Sequence, residues 1–326
     1  MPAGLRALLS DIIDYAGLFP PAKLPLDTAI RNYIRYRGEP EAWMLARFIC
    51  PAQRLGELDP YIREHFSANA PLRLSALGRG GDEAESFLNN LRDDLEALGR
   101  FFEIHPAVAA VQNFETKLPA EVLAGGPDTL NNFLRAEADL FASLDFPGPM
   151  CFFEIPPSED WRAIAGEIAA MNEQVVVHDE NTRLYRMRGL KLRCGGLEPA
   201  AVPSVAQVAT AISACVEKKV PIKFTAGLHH PTRRIDPALG VLVHGFLNVF
   251  AAGVLGFSLG LDENDLTAII EEEDARQFTL NEEVLAWTDA EATVNEVGFV
   301  RRRHVISFGS CSFDEPRDDL RELGYI

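Results

Sequence analysis

Two lysines stand inside short apolar runs that are typical of buried strands. Lys191 lies in the run 189–196, and Lys223 lies in the run 221–227. A lysine that is buried as a cation costs free energy, because its charge leaves water. Two such cations on neighbouring strands repel each other, which favours loss of the proton from one amine. A neutral amine attacks a carbonyl carbon to form an imine, so the pair predicts imine chemistry.

Strand geometry predicts which side chains share a face with these lysines. Residues two apart point the same way, so Lys191 shares a face with Arg193, and Lys223 shares one with Thr225. Neighbouring strands lie ~4.8 Å apart. At an effective dielectric of ~20, two ammonium groups at that separation repel by several kcal/mol, which lowers one pKa by a few units. The alternative is that one lysine pairs with Glu154 or Glu115 and has only a structural role.

Strand-like and helix-like segments alternate along the chain, as in a parallel α/β fold. Seven strand-then-helix units and one later strand predict a (β/α)8 TIM barrel, with a doubly wound open sheet as the alternative. No Gly-x-Gly-x-x-Gly motif opens an early helix, which disfavours dinucleotide binding. The eighth strand is either 278–287 or 304–308, and the second is favoured. A typical barrel uses ~250 residues, so 231–303 is predicted to be a mainly helical elaboration of one domain, 1–326.

Composition limits the partners. The chain has 48 acidic and 31 basic residues and a formal net charge of -17, which disfavours nucleic acid. The longest apolar run, 241–257, is shorter than the ~20 residues of a membrane-spanning helix. Five cysteines without metal-type spacing predict reduced thiols in a cytoplasmic protein. We expect no membrane partner, and the apolar run leaves a homo-oligomer open because it fits either a core or a dimer surface.

A family resemblance covers the last three predicted barrel strands. Residues 189–230 resemble strands six and seven of the class I deoxyribose-phosphate aldolases. In that family a strand-six lysine forms the imine and a strand-seven lysine perturbs its pKa, which implies these roles for Lys191 and Lys223. The run 308–312 resembles the family's phosphate-binding turn after strand eight. This likeness implies substrate-binding roles for Gly309, Ser310 and Ser312.

Other positions fit the family less closely. Glu154 resembles an acid that ends the family's fifth strand, and Asp14 resembles an aspartate on its first strand. The family's inward aspartate on strand four has no match, because alanines stand at 109 and 110. Glu115 lies further along that strand, so we expect a different proton relay. Arg193 replaces a small residue beside the nucleophile, and its planar guanidinium favours a carboxylate or another anion.

These residues together predict an aldolase-like, Schiff-base-forming lyase that needs no cofactor and acts on a small anionic carbonyl compound. Neutral Lys191 attacks the carbonyl group, and charged Lys223 keeps Lys191 deprotonated. Glu154 or Glu115 moves protons. The residues predicted to bind the substrate are Asp14, Arg47, Arg193, Thr225, His229, His230, Gly309, Ser310 and Ser312.

Two other functions fit the same barrel. His229 and His230 follow strand seven, and Glu115 and Glu154 end strands four and five. These residue types at strand ends can hold a divalent metal, as in sugar isomerases and hydrolases. Adjacent histidines on an extended segment point opposite ways, so at most one of them would be a ligand. A non-catalytic barrel that binds a small molecule is the third alternative, because a fold does not fix a function.

Overall fold

A closed parallel barrel forms the centre of the protein. The computed structural model describes residues 1–143, 148–173 and 187–326. Within these ranges the eight barrel strands are β1 Ile13–Tyr15, β2 Leu45–Pro51, β3 Leu72–Leu77, β4 Ala109–Lys117, β5 Met150–Glu154, β6 Arg188–Arg193, β7 Ile222–Thr225 and β13 Val305–Ser310. They follow one another around the ring in this order, and β13 pairs with β1 to close it. The predicted (β/α)8 barrel is confirmed.

Helices cover the outside of this barrel. Their bounds are α1 Ala3–Leu9, α2 Leu26–Tyr36, α3 Asp59–His65, α4 Ala84–Ile104, α5 Ala120–Ala124, α6 Gly126–Ala142, α7 Trp161–Glu173, α8 Val205–Lys218, α9 Phe246–Leu259, α10 Glu263–Glu271, α11 Val294–Arg303 and α12 Asp314–Glu322. Helix α4 is typical, because Phe87, Leu91, Leu95 and Leu98 form one buried stripe at helical spacing. The main hydrophobic core therefore lies between the strands and these helices.

The insertion between β7 and β13 is more varied than the sequence predicts. It contains α9, α10 and α11, as expected, but also a two-stranded antiparallel sheet of β8 Arg234–Ile235 and β9 Leu242–Val243. A three-stranded antiparallel sheet follows, with β10 Phe278–Leu280, β11 Val284–Trp287 and β12 Ala290–Thr293. These strands are two to four residues long, too short to produce a clear alternating pattern. The preferred eighth strand is confirmed, since the competing segment 278–287 forms β10 and β11.

Two apolar helices pack inside the fold. The segment Pro199–Lys218 is long and apolar enough to cross a membrane by composition, and half of its apolar window is buried. It includes α8, which packs against α7 and α10. Helix α9 contains most of the long apolar run 241–257, and its residues from Phe246 to Gly256 are buried. Its Phe246 ring stacks on Phe308 of β13 at a centroid distance of 5.5 Å, so this helix belongs to the core of the barrel domain.

The interior of the barrel has an apolar floor. Met150 and Phe152 of β5 and Ile306 of β13 form a small buried cluster that is separate from the main core. Side chains alternate along each strand, so the inward positions further toward the carboxyl ends lie above this floor. Those positions carry charged side chains, which are therefore held over a packed apolar base.

Two glycine turns meet at the carboxyl ends of β6 and β7. A methyl group added at Gly195 would lie 2.7 Å from the Cα atom of Gly227, closer than real contacts allow. Gly227 also has a φ of +74°, a left-handed conformation that favours glycine. The pair allows both turns to approach each other beside the mouth of the barrel.

We expect Gly195→Ala to lower the free energy of unfolding by about 1–3 kcal/mol, as for other overpacked sites. The clash is with backbone atoms, which cannot rotate away. Gly56→Ala is the matched control, because a methyl group there meets nothing within 4 Å. Urea denaturation measures both. Equal midpoints for the two variants would contradict the close approach of the turns.

Candidate active site

Charged side chains from six strands meet inside the barrel, above the apolar floor. Parallel register aligns Lys191 of β6 with Lys223 of β7 and with Glu154 of β5. The group, called the charged layer below, consists of Asp14 on β1, Arg47 on β2, Glu115 on β4, Glu154 on β5, Lys191 and Arg193 on β6, and Lys223 on β7. The sequence predicts all seven as site residues, and the fold brings them together.

Lys223 is fully enclosed at the bottom of the charged layer. Its Nζ donates to Asp14 Oδ2 at 2.6 Å and to Glu115 Oε1 at 2.5 Å. Asn113, with its amide oxygen turned toward the cations, accepts from Lys223 Nζ and from Arg47 Nε, both at 3.2 Å. Lys223 Nζ also lies 5.5 Å from the centroid of the Phe152 ring. The ammonium group is therefore satisfied on several sides without water.

Lys191 lies higher and reaches the cavity. Its Nζ is 3.0 Å from Glu115 Oε2 and 2.9 Å from Glu154 Oε2. The side chain is 5% exposed and lines the open space above the charged layer. Glu115 therefore contacts Lys191 with one carboxylate oxygen and Lys223 with the other. Glu115, which the sequence places further along strand four than the family's aspartate, is the acid that lies between the two lysines.

The ionisation of the charged layer differs from the sequence prediction. Burial lowers the pKa of Lys191, but the carboxylates of Glu115 and Glu154 outweigh it and hold that pKa above its usual range. The predicted lowering of the Lys191 pKa by repulsion from Lys223 is therefore wrong. The reason is that two carboxylates lie within 3.0 Å of the Lys191 amine. In the resting protein Lys191 is an ammonium group at neutral pH.

The carboxylates are ionised for the same reason. Burial raises the pKa of Glu115, but the ammonium groups of Lys223 and Lys191 outweigh it and hold that pKa well below its usual range. The pKa of Asp14 is also lowered, because Lys223 and Arg47 together outweigh its burial. The pKa of Glu154 is lowered as well. Burial raises it, but the charges of Lys191 and, to a smaller extent, Arg193 outweigh that effect. The charged layer is thus a network of alternating charges.

Three neutral side chains that the sequence does not single out help to hold this network. Ser307 Oγ donates to Asp14 Oδ2 at 2.7 Å, and Ser75 Oγ donates to Glu115 Oε1. The third is Asn113, whose amide oxygen accepts from Lys223 and Arg47. Arg47 adds a backbone N–H and a guanidinium donor to Asp14 Oδ1, at 3.1 and 3.2 Å. The signal in the sequence was strand alternation, because Ser307 and Asn113 stand two residues before the predicted Gly309 and Glu115.

A cavity of about 750 Å³ opens above the charged layer. Of the predicted site residues, those that line it are Glu115, Glu154, Lys191, Arg193, Thr225, His229, His230 and Gly309. Three others lie in the charged layer beneath it: Asp14, Arg47 and Lys223. In the turn after β13, Ser310 Oγ donates to the Ser312 carbonyl oxygen at 2.7 Å. Gly309 at the end of β13 and Cys311 just after it line the cavity, whereas Ser310 and Ser312 do not.

The two histidines bind acids of the last helix. His229 Nδ1 lies 3.0 Å from Glu315 Oε2, and His230 Nδ1 lies 2.6 Å from Asp319 Oδ2. Among the described residues, no group of three or more His, Cys, Asp and Glu side chains is placed to hold a metal ion. His229 and His230 line the same cavity as Glu115 and Glu154, but in the described part of the chain they pair with acids of the last helix and form no three-ligand group with these two glutamates.

Comparisons with known proteins give little beyond the fold. No family model matches the chain, and no curated protein matches it. Among solved structures, one reported for two fungal β-1,4-galactanases is 10% identical and covers 79% of this chain and 87% of that one, with a TM-score of 0.39. Similarity at this level carries no information about activity. The fold and site define the protein as an α/β barrel with a charged cavity, and the aldolase resemblance rests on 189–230 and 308–312.

We expect Glu115→Gln to lower the free energy of unfolding by about 3–5 kcal/mol, because it leaves two buried ammonium groups without their shared carboxylate. Glu57→Gln is the control, since its ion pair with Arg54 is on the surface and contributes about 0–1 kcal/mol. Urea denaturation measures both variants. The double variant Glu115→Gln/Lys191→Met should recover part of the loss, and no recovery would contradict the shared-carboxylate arrangement.

We expect stability to fall in acid because the carboxylates of the charged layer have lowered pKa values in the folded protein. The unfolded chain binds protons first, near the ordinary values of 3.8 for Asp and 4.5 for Glu. Their contribution is therefore complete above about pH 5 and is lost as the pH falls below about 4. Urea denaturation at a series of pH values measures this loss of stability. Glu154→Gln should make the loss of unfolding free energy in acid less steep. The control Glu291→Gln, at an exposed position, should leave that slope unchanged.

Proposed function

We infer that the protein is a Schiff-base-forming lyase that acts on an anionic carbonyl compound. The observation that carries this proposal is the position of the Lys191 amine. It is the amine of the charged layer that lines the cavity, and two carboxylates lie within hydrogen-bonding distance of it. A primary amine at the floor of a cavity, with proton acceptors beside it, is the arrangement that imine formation requires.

The proton of Lys191 must leave before the amine can attack. Glu154 is the better acceptor, because it lines the cavity and its pKa is lowered partly by Arg193. Arg193 Nε lies 3.5 Å from Glu154 Oε1. A substrate anion that binds the Arg193 guanidinium weakens this contact and raises the proton affinity of Glu154. Substrate binding thereby favours transfer of a proton from Lys191 to Glu154, in place of the predicted activation by Lys223.

Once the Lys191 amine is neutral, it can react with the carbonyl group of the substrate. The Lys191 nitrogen adds to the carbonyl carbon, and the resulting carbinolamine loses water to give a protonated imine. Glu154 or Glu115 then takes the proton of a hydroxyl group on the carbon beyond the neighbouring C–C bond. That bond breaks, its electron pair forms the enamine, and the fragment that carried the hydroxyl group leaves as an aldehyde or ketone. Glu154 or Glu115 returns a proton to the enamine carbon. Water hydrolyses the imine, which releases the second carbonyl product and restores the amine.

Lys223 and the strand ends have supporting roles in this scheme. Lys223 is fully buried and holds Glu115 and Asp14 in place, so it fixes the acid that touches the nucleophile. The substrate anion binds Arg193 through charge-assisted hydrogen bonds. Gly309, on the strand next but one to Arg193, also lines the cavity and offers its backbone as a second contact.

We expect sodium borohydride to trap an adduct on Lys191 when the protein is incubated with a panel of 2-oxo acids and phosphorylated aldehydes. Reduction converts the imine into a stable amine, which proteolysis and mass spectrometry locate on one peptide. Lys191→Arg should abolish this adduct, and Lys218→Arg, at an exposed lysine, should leave it intact. The absence of any Lys191 adduct across the panel would overturn the proposed function.

A further inference from the structure

We propose that the substrate is an amphipathic oxo acid, with its carboxylate close to the reacting carbonyl and a large apolar remainder. This inference rests on the proposed function, because it takes Lys191 as the position of the carbonyl carbon. It is carried by the uneven distribution of charge around the cavity. The cations Lys117 and Arg193 lie in the wall near Lys191. Outside the charged layer, the other charged side chains and the histidines of the described lining already have partners within the protein, namely Arg79, His229, His230 and Asp236. The loops around the mouth contribute mostly apolar side chains.

The charged part comes from three adjacent strands. Lys117 at the end of β4 is in register with Glu154 at the end of β5, and Arg193 ends β6. All three line the cavity. Lys117 is exposed, and its side chain makes no hydrogen bond or ion pair with the part of the chain that the structure describes, although its charge contributes to the lowered pKa of Glu154. Its ammonium group is therefore available to a ligand. The position of Lys117 two residues after Glu115, on the same face of the strand, is the signal in the sequence that points to it.

The distance along β6 places the anion near the carbonyl. Arg193 is two residues beyond Lys191 on the same face, which corresponds to about 6.6 Å along the strand. The substrate carbon that bonds to the Lys191 nitrogen lies within a bond length of it. A carboxylate that meets Arg193 is then one or two carbon atoms from the carbonyl. This geometry favours a 2-oxo or 3-oxo acid over a molecule whose anion is at the far end.

The apolar part comes from loops that are far apart in the sequence. The loop after β1 contributes Phe19, Pro20 and Pro21. Across the mouth, the loop after β6 contributes Leu197 and Val202, and the segment of the β8–β9 hairpin contributes Leu239 and Val243. Leu197 is 61% exposed although it lines the cavity. An apolar group bound here would remove these side chains from water, which is favourable.

The volume of the cavity fits a substrate with a large apolar portion. Its volume of about 750 Å³ falls in the range of pockets that enclose drug-sized ligands, roughly 300–1,000 Å³. A three-carbon oxo acid would occupy the charged part and leave water against the apolar walls. A longer apolar chain displaces that water, and each buried methylene should tighten binding about fourfold.

The test is a chain-length series of straight 2-oxo acids with three, four, six and eight carbon atoms. Borohydride trapping on Lys191 gives a half-saturating concentration for each acid. We expect this concentration to fall about fourfold per added methylene. Leu197→Asn should reduce the advantage of the longer acids over the three-carbon acid several-fold. Leu259→Asn, at a 46% exposed leucine outside the cavity lining, should behave like the unaltered protein.

The two proposals fail in different ways. Adducts that form equally well at every chain length, or a Leu197→Asn variant with an unchanged series, would overturn the amphipathic substrate and leave the imine chemistry standing. Calorimetric titration of Lys191→Arg with the same acids measures binding without the imine. If longer acids bind this variant more tightly while the unaltered protein forms no adduct, the substrate class stands and the proposed lyase function is overturned.

Discussion

One carboxylate shared by two buried lysines is the interaction on which the site depends. Glu115 of β4 contacts Lys191 with one oxygen and Lys223 with the other. Removing an ion from water into a barrel interior costs several kcal/mol, and close opposite charges with good geometry are needed to offset that cost. Asp14 and Glu154 complete the compensation at either end. The result is a rigid network of ionised groups in place of the repelling lysine pair that the sequence alone suggests.

The barrel makes this network possible because closure places inward residues of distant segments side by side. Asp14 and Lys223 are 209 residues apart along the chain, yet their side chains are 2.6 Å apart. The apolar floor of Met150, Phe152 and Ile306 excludes water from below. The glycine turns at Gly195 and Gly227 approach each other closely and line the cavity above Lys191. The two lysines therefore differ in exposure, because Lys191 lines the cavity and Lys223 is enclosed beneath it.

In the proposed mechanism, the same arrangement would connect substrate binding with activation of the amine. Glu154 lies between Lys191 and Arg193, so an anion that engages Arg193 changes the charge balance on the acid that would receive the proton. A resting ammonium group is then compatible with imine chemistry, because the neutral amine is needed only when substrate is present. The apolar walls above would exclude water from the bound carbonyl group, which strengthens the electrostatic contacts below.

The sequence by itself determined the barrel, its eighth strand and most of the inward polar positions, because strand alternation and apolar runs are local patterns. It also singled out all seven members of the charged layer, which the fold brings together. Only the tertiary structure decided the partners and charge states of those residues. Distances between Asp14, Glu115 and the two lysines depend on register around a closed ring, which no local pattern encodes. For the same reason the bridging position of Glu115, the supporting roles of Ser75, Asn113 and Ser307, and the pairing of His229 and His230 with α12 became visible only in the fold.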